Sequence, residues 1–322
     1  MKALIFHQSG EPADVLRYAD LPEPVAGDGY VLVEVAARPI HPADLAFIRG
    51  QYRVKPSFPQ AAGLEGSGVI VKSPERSPFI VGTRVAFRAP GSWAEVARVP
   101  FDRLITVPPG IPDKVACQVS LNPATAVGLL DEVKAKRGDW VMLTAATSTV
   151  SNLVVSIARR RGIGVIGLIR GDAAEGKMRS IADHVLSIKN PELVATVTAL
   201  TGGRRVSGLL DSVGGPDTAK LFAALAPGAC IVAYGVQDRQ PAPVTNAMLI
   251  YSNLTWKGFG IDYWLSRCPA DSKVKMFDEL WSMIEDKTLP LPIASTFGLD
   301  RFGEALAADA QQGRAGKVLL VS

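Results

Sequence analysis

Ala145, Ser148 and Ser151 stand three residues apart directly after the apolar run Trp140–Leu143. Residues 152–161 then carry apolar side chains at helical spacing. A strand, a tight turn of small residues and a helix bring a pyrophosphate to the free N–H groups at a helix start. Glycine usually makes such turns because it lacks a Cβ, yet this turn contains none. Serine is the next solution, since Ser148 or Ser151 can cap the helix and also present a hydroxyl to phosphate. Ala146, Thr147, Ser148, Thr149 and Val150 are therefore candidate phosphate contacts, against the plainer reading of a Ser-capped scaffold helix.

A second apolar run ends Ile169-Arg170-Gly171-Asp172, near the place where a dinucleotide's ribose is read. Arginine there accommodates a 2′-phosphate, so Arg170 favours NADP over NAD. Lys177 and Arg179 add positive charge nearby. Asp172 could instead read a ribose hydroxyl, and Arg170 could be a solvated loop residue. Two later turns, Asp211-Ser212-Val213-Gly214-Gly215 and Tyr234-Gly235, also follow apolar runs. At the carboxyl ends of parallel strands both would face the cofactor.

These residues need an alternating sheet to place them. From about 112 to 260, strand candidates at 141–145, 165–169, 184–188, 208–212, 231–234 and 254–258 alternate with helical segments. That rhythm predicts an α/β fold, a doubly wound parallel sheet. Residues 1 to about 110 read differently, as short β-branched runs broken by Gly and Pro, the pattern of a compact β domain. Two helices are expected near 270–286 and 300–312. A last strand at 316–321 suggests that the chain returns to its first domain.

Composition narrows the class. The chain has 322 residues, 48% hydrophobic and 20% charged, with a net charge of only +4. Neither nucleic acid nor an acidic membrane surface is an expected partner. No window approaches the ~20 apolar residues of a membrane span, and the N-terminus reads as a strand rather than a signal peptide. Three widely separated cysteines, Cys117, Cys230 and Cys268, form no disulfide framework and fit a reducing cytoplasm.

Together these stretches resemble the medium-chain dehydrogenase/reductase superfamily over essentially the whole chain. The resemblance is carried by Gly63-Leu64-Glu65-Gly66-Ser67-Gly68, Val81-Gly82-Thr83-Arg84-Val85, Leu210-Asp211-Ser212-Val213-Gly214-Gly215 and Gly316-Lys317-Val318. It implies a GroES-like β-rich catalytic domain over 1–111 and 261–322, and a Rossmann dinucleotide-binding domain over 112–260. Zinc-dependent members hold their metal with Cys, His and Cys. Here the matching stretches read Ile40-His41-Pro42-Ala43-Asp44 and Gly63-Leu64-Glu65. Leucine cannot ligate zinc, and His41 with Glu65 makes only two candidate ligands. No metal is expected, and His41 is read as structural.

Within the zinc-free branch the chain is similar to 2-enoyl thioester reductases and to NADPH:quinone reductases. The former are matched at Ile40-His41-Pro42-Ala43-Asp44-Leu45, Gly50-Gln51-Tyr52, Asn122-Pro123-Ala124-Thr125-Ala126 and Tyr234-Gly235-Val236-Gln237. Arg53 stands where their pattern has a proline. The implied reaction transfers hydride from NADPH to the β-carbon of an α,β-unsaturated thioester or ketone. Tyr52 then stabilises the carbonyl oxygen and protonates the α-carbon.

The resemblance further implies that Asn122, Thr125, Phe259 and Lys317 contact the cofactor and that Trp264, with Tyr52, meets a small-molecule substrate. For Phe259 and Trp264 a core role is the competing reading; for Thr125, an ordinary helix position. Tyr52 could instead be a stacked aromatic. A homodimer is the expected assembly. Quinone reduction, or NADPH binding in a structural or regulatory role without significant turnover, are the alternatives.

Overall fold

The computed structural model describes residues 1–172, 180–311 and 313–322. The chain divides into two compact units, Met1–Leu121 with Leu280–Ser322, and Asn122–Glu279. Both divisions fall later than the sequence suggested. Residues 112–121 join the first unit because Cys117 packs with Ala37 and Leu319, and because Ser120 donates to Glu65. The helix Ile261–Arg267 joins the second unit because Trp264 packs against Gly128.

In the first unit the strand Tyr30–Pro39 is the organising element. It pairs antiparallel with Gly66–Lys72, Val96–Pro100 and Lys317–Val321. Val31, Val33 and Val35 alternate onto one face and pack with Ile70, Val85, Phe87 and Val99. The returning strand sets Leu319 opposite Pro39, Leu320 opposite Arg38 and Val321 opposite Ala37, so the chain does come back to its first domain. A strand absent from the sequence reading, Ile293–Gly298, pairs parallel with Lys317–Val321. It is a half-exposed edge strand and lacks the buried alternation that would have marked it. Arg38, wholly buried, donates to the carbonyls of Ser92 and Ala94 and to the Ser322 hydroxyl, tying the last residue to this sheet.

In the second unit the described residues form one six-stranded parallel sheet. Its order is His184–Ser187, Gly164–Ile169, Trp140–Leu143, Val206–Asp211, Leu225–Ala233, Thr255–Gly258. The strand of this sheet that comes first along the chain, Trp140–Leu143, lies centrally, with Met142 beside Ile166 and Leu209 in the core. The order reverses there: the chain winds outward on one side through Gly164–Ile169 and on the other through Val206–Asp211. Beyond the carboxyl ends of those strands lies the crevice in which such sheets bind ligands. Gly162, left-handed at φ 72°, ends the helix Thr149–Arg161 and turns the chain into the second strand. Among the described residues no helix is long and apolar enough to cross a membrane.

Gly68 shows how tightly the first sheet is drawn. A Cβ there would sit 1.8 Å from the Glu34 carbonyl oxygen. Gly68→Ala should destabilise the protein by roughly 2–3 kcal/mol, read as a lower urea midpoint. An unchanged midpoint would show that the two strands can separate at no cost.

Candidate active site

The crevice of the second unit is built around one carboxylate. Asp211, 2% exposed, accepts the Thr144 hydroxyl at 2.9 Å, the Thr218 hydroxyl at 2.7 Å and the amides of Val213 and Gly214 at 3.0 and 3.2 Å. Thr144 in turn accepts the Ser212 amide at 2.9 Å. This network locks the end of Trp140–Leu143 to the end of Val206–Asp211. Above it opens a cavity of about 200 Å³, edged by Thr147, Ile169, Arg170, Gly214, Gln237 and Asp238.

The glycine-free turn solves its geometry in two places. Ala145 takes the left-handed conformation, φ 50°, that glycine ordinarily supplies. Ala146 is wholly buried, and the close approach it needs comes from the neighbouring strand. A Cβ on Gly167 would lie 2.6 Å from the Ala146 Cβ. Ser148 caps the helix, accepting the Ser151 amide. Ser151 is fully buried, with its hydroxyl donating to the Ala145 carbonyl at 2.9 Å. It has nothing to offer a phosphate, so that half of the expectation is corrected. Thr147 lines the cavity, and the amides of Thr149 and Val150, in the first turn of the helix, have no intrahelical acceptors.

Arg170 is exposed on the cavity rim and makes no ion pair with any other described residue. Lys177 and Arg179 fall outside the described residues. Neither Tyr234 nor Gly235 lines the cavity. A Cβ on Gly235 would meet the Ser212 carbonyl oxygen at 2.3 Å. The Tyr234 hydroxyl is buried beside Ser212 and Ser151, and that burial raises its pKa. The residues of this loop that reach the cavity are Gln237 and Asp238, which sequence reasoning missed. Their signal was present, because the stretch Tyr234-Gly235-Val236-Gln237 was already in view.

Asn122 and Thr125 open the helix Asn122–Val133, Asn122 half-buried and Thr125 buried. On the same helix Gly128 makes room for two rings. A Cβ there would meet Phe259 at 2.7 Å and Trp264 at 3.0 Å. Phe259 and Trp264 contact each other at 6.2 Å between centroids. Asn122, Thr125, Phe259 and Trp264 do not line the cavity over Asp211.

Tyr52 belongs to the first unit. It follows the helix Pro42–Ile48, anchored by its amide to the Ala46 carbonyl at 3.1 Å, and its ring packs on the core that includes Phe47 and Leu64. Burial raises the phenol's pKa. The Arg53 guanidinium opposes the rise through its charge and a hydrogen bond to the phenol, and Asp44 adds a smaller upward push.

The same helix starts on a wholly buried set of ionisable groups. His41 Nε2 lies 2.6 Å from Glu65 Oε2. The other Glu65 oxygen accepts the Ser120 hydroxyl at 2.8 Å and the Leu121 amide at 2.7 Å. Asp44 accepts the His41 amide at 2.7 Å. Burial lifts the Asp44 carboxyl to about 8 and pushes His41 down, with Lys317 adding to the His41 shift. Lys317, expected at the cofactor, is instead 5% exposed. Its ammonium points to the Ile40 carbonyl, and burial lowers its pKa.

A zinc ion does not fit these residues. His41 and Glu65 are committed to each other, Leu64 offers no donor, and no group of three metal-ligating side chains occurs among the described residues.

Comparison with known proteins bears on this geometry. The zinc-binding dehydrogenase family matches residues 149–273, and the alcohol dehydrogenase GroES-like domain matches residues 27–109. The mitochondrial enoyl-[acyl-carrier-protein] reductase of Xenopus tropicalis is 30% identical over 95% of this chain and 91% of its own length. A Bacillus thuringiensis structure assigned as an NADPH:quinone reductase superposes with a TM-score of 0.89 at 26% identity, covering 100% of this chain and 98% of that one. A mycobacterial quinone oxidoreductase superposes at 0.87 with 25% identity, covering 100% of both chains.

Two outcomes test the geometry. Asp211→Ala would strand two hydroxyls and two amides, and should cost about 3 kcal/mol in denaturant unfolding. The Asp44 carboxyl, raised from 3.8 to about 8, favours the fold in its protonated form. Its contribution is full below its unfolded pKa and is lost as pH rises through the folded one. Wild-type stability should therefore fall relative to Asp44→Asn between roughly pH 4 and 8. Parallel stability curves for the two proteins would refute a neutral Asp44.

Proposed function

The chain belongs to the medium-chain dehydrogenase/reductase family, and from that premise we propose that it is an NADPH-dependent reductase of α,β-unsaturated thioesters or ketones. The observation that carries the reading is the Asp211-centred crevice with Arg170 on its rim. A guanidinium without an ion-pair partner among the described residues suits a ribose 2′-phosphate. Thr147 and the amides of Thr149 and Val150 are the groups proposed for the pyrophosphate, with Ser148 capping the helix beneath it. NADPH, when bound, supplies the hydride that adds to the substrate's β-carbon.

This chain's own residues must handle the charge that then gathers on the carbonyl oxygen. His41 and Glu65 are occupied with each other, so the burden falls on a neutral donor. Tyr52 suits it, because a phenol whose pKa is raised stays protonated at neutral pH. It would donate to the oxygen and then pass its proton to the α-carbon. Asn122, Thr125 and Phe259 are proposed to orient the nicotinamide end, with Trp264 toward the substrate.

The likeness to quinone reductase structures supports quinone reduction as a second reading. The strand Thr255–Gly258 is a sheet edge with Trp256 39% exposed, and such an edge supports a homodimer. The free cysteines support a reducing, cytoplasmic location.

Enoyl thioesters and quinones assayed side by side with NADPH and NADH test the proposal, and absence of enoyl turnover would overturn it. Tyr52→Phe should lower enoyl turnover about 100-fold and quinone turnover much less. Arg170→Ala should cut the preference for NADPH over NADH about tenfold. An unchanged ratio would remove the basis for NADPH. Sedimentation should give twice the chain mass.

A further inference from the structure

At the amino ends of the parallel strands, opposite the crevice, lie three stretches of chain, residues 134–139, 159–164 and 201–206. Hydrogen bonds join them into one surface. The Gly138 amide donates to the Gly162 carbonyl at 2.8 Å, and the Arg204 guanidinium donates to the Gly138 carbonyl at 3.2 Å. These stretches hold eight of the chain's 35 lysines and arginines but one of its 31 aspartates and glutamates. The rest of the chain is left with 27 cations against 30 anions, so the positive net charge belongs to this end of the sheet. Arg159 pairs with Asp183 at 3.4 Å and Arg161 with Asp131 at 2.7 Å. The single acid, Asp139, accepts the Lys136 amide at 2.8 Å. Lys136, Arg137 and Arg205 are exposed and form no ion pair with another described residue. A helix dipole acts only within its last turn, so it accounts for Arg159–Arg161 and not for these three. Arg137 lies across Gly162, where a Cβ would meet its guanidinium at 2.8 Å. Arg205 is held left-handed at φ 61°, so a cation occupies a position where glycine would be unstrained.

We propose that this surface docks a compact acidic segment of a partner protein, one carrying several clustered Asp and Glu side chains. Guanidinium groups pair with carboxylates through two parallel hydrogen bonds, and a cationic patch speeds encounter with an acidic partner. The extent of the patch selects among polyanions. A nucleic acid strand or an anionic membrane reaches past it and meets the net-acidic remainder of the chain, which repels it. Asp131 and Asp183, already paired with arginines, mark the border. A short acidic segment ends where the cations end. Trp140 adds an aromatic contact of the kind enriched at protein interfaces. It is half-buried against Gly164, with its ring 5.5 Å from that of His184. The crevice lies at the carboxyl ends of the same strands, so a partner docked here leaves it open. The inference stands independently of the reductase reading.

Titration of the full chain with a fluorescein-labelled glutamate-rich peptide, with oligothymidylate of matched charge and with phosphatidylserine vesicles tests this. At low salt the peptide should bind saturably and more tightly than either phosphate-bearing probe. Lys136→Glu/Arg137→Glu/Arg205→Glu should weaken peptide binding about tenfold. Lys72→Glu/Arg76→Glu/Arg98→Glu makes the same change of net charge at exposed residues of the first unit, and should leave peptide binding within about twofold. Arg205→Gly removes one cation and relieves the left-handed geometry. It should raise the thermal midpoint while weakening peptide binding about threefold, and it keeps the test decisive if the triple charge reversal does not fold. Absence of peptide binding, or equal losses in the two triple variants, would overturn the proposal. So would tighter binding of oligothymidylate or of the vesicles, which would assign the surface to phosphate-bearing polyanions. A lowered thermal midpoint with unchanged peptide binding in Arg205→Gly would make Arg205 a structural residue and remove it from the docking surface.

Discussion

A carboxylate buried out of water must be surrounded by donors, because the alternative is a desolvation cost of several kcal/mol. Glu65, 1% exposed, obtains three, from His41, Ser120 and the Leu121 amide. Those donors come from two separate parts of the chain, residue 41 and residues 120–121. Satisfying one side chain therefore fixes the start of the Tyr52 helix and residues 120–121 against the strand that begins at Gly66. Asp44, held by the His41 amide, and Lys317, held by the Ile40 carbonyl, complete the set at the same helix start. The helix that Tyr52 follows thus starts on this polar core, while the Tyr52 ring packs on apolar residues.

The second unit obeys the same rule at the end of its sheet. Asp211 draws in two hydroxyls and two backbone amides, and that convergence holds the switch point open as a crevice. Around it the strain of an alanine in left-handed geometry at Ala145 is tolerated because the turn is fixed from both sides. Both units thus use a saturated buried carboxylate as a strut.

Much of this was legible in order along the chain. The inner parallel strands Trp140–Leu143, Gly164–Ile169 and Val206–Asp211 coincide with largely apolar runs bounded by turn residues, because a strand covered on both faces must be mostly apolar. The returning strand at 317–321 was legible for the same reason. The edge strand Ile293–Gly298 was not, since a half-exposed strand carries no such constraint. Arg170 could be singled out because it follows a strand end, where a parallel sheet presents residues to a ligand. Ser151 could not be told from Ser148, because which hydroxyl bonds back to the Ala145 carbonyl depends on how the turn closes. Lys317 looked available for a ligand only because a lysine is rarely buried; its burial is set by residues nearly three hundred positions away.

By itself the sequence determined the two architectures, the order of the parallel strands along the chain and the few side chains able to do chemistry. Periodicity, turn residues and donor types are local properties, and local properties survive in a one-dimensional record. Tertiary structure alone decided which polar groups were consumed as struts and which stayed available. It paired His41 with Glu65, closed Ser151 onto its own turn and buried Lys317. The physical reason is that desolvation is a property of a place, not of a residue. A polar group's role follows from the donors and acceptors that the fold brings around it.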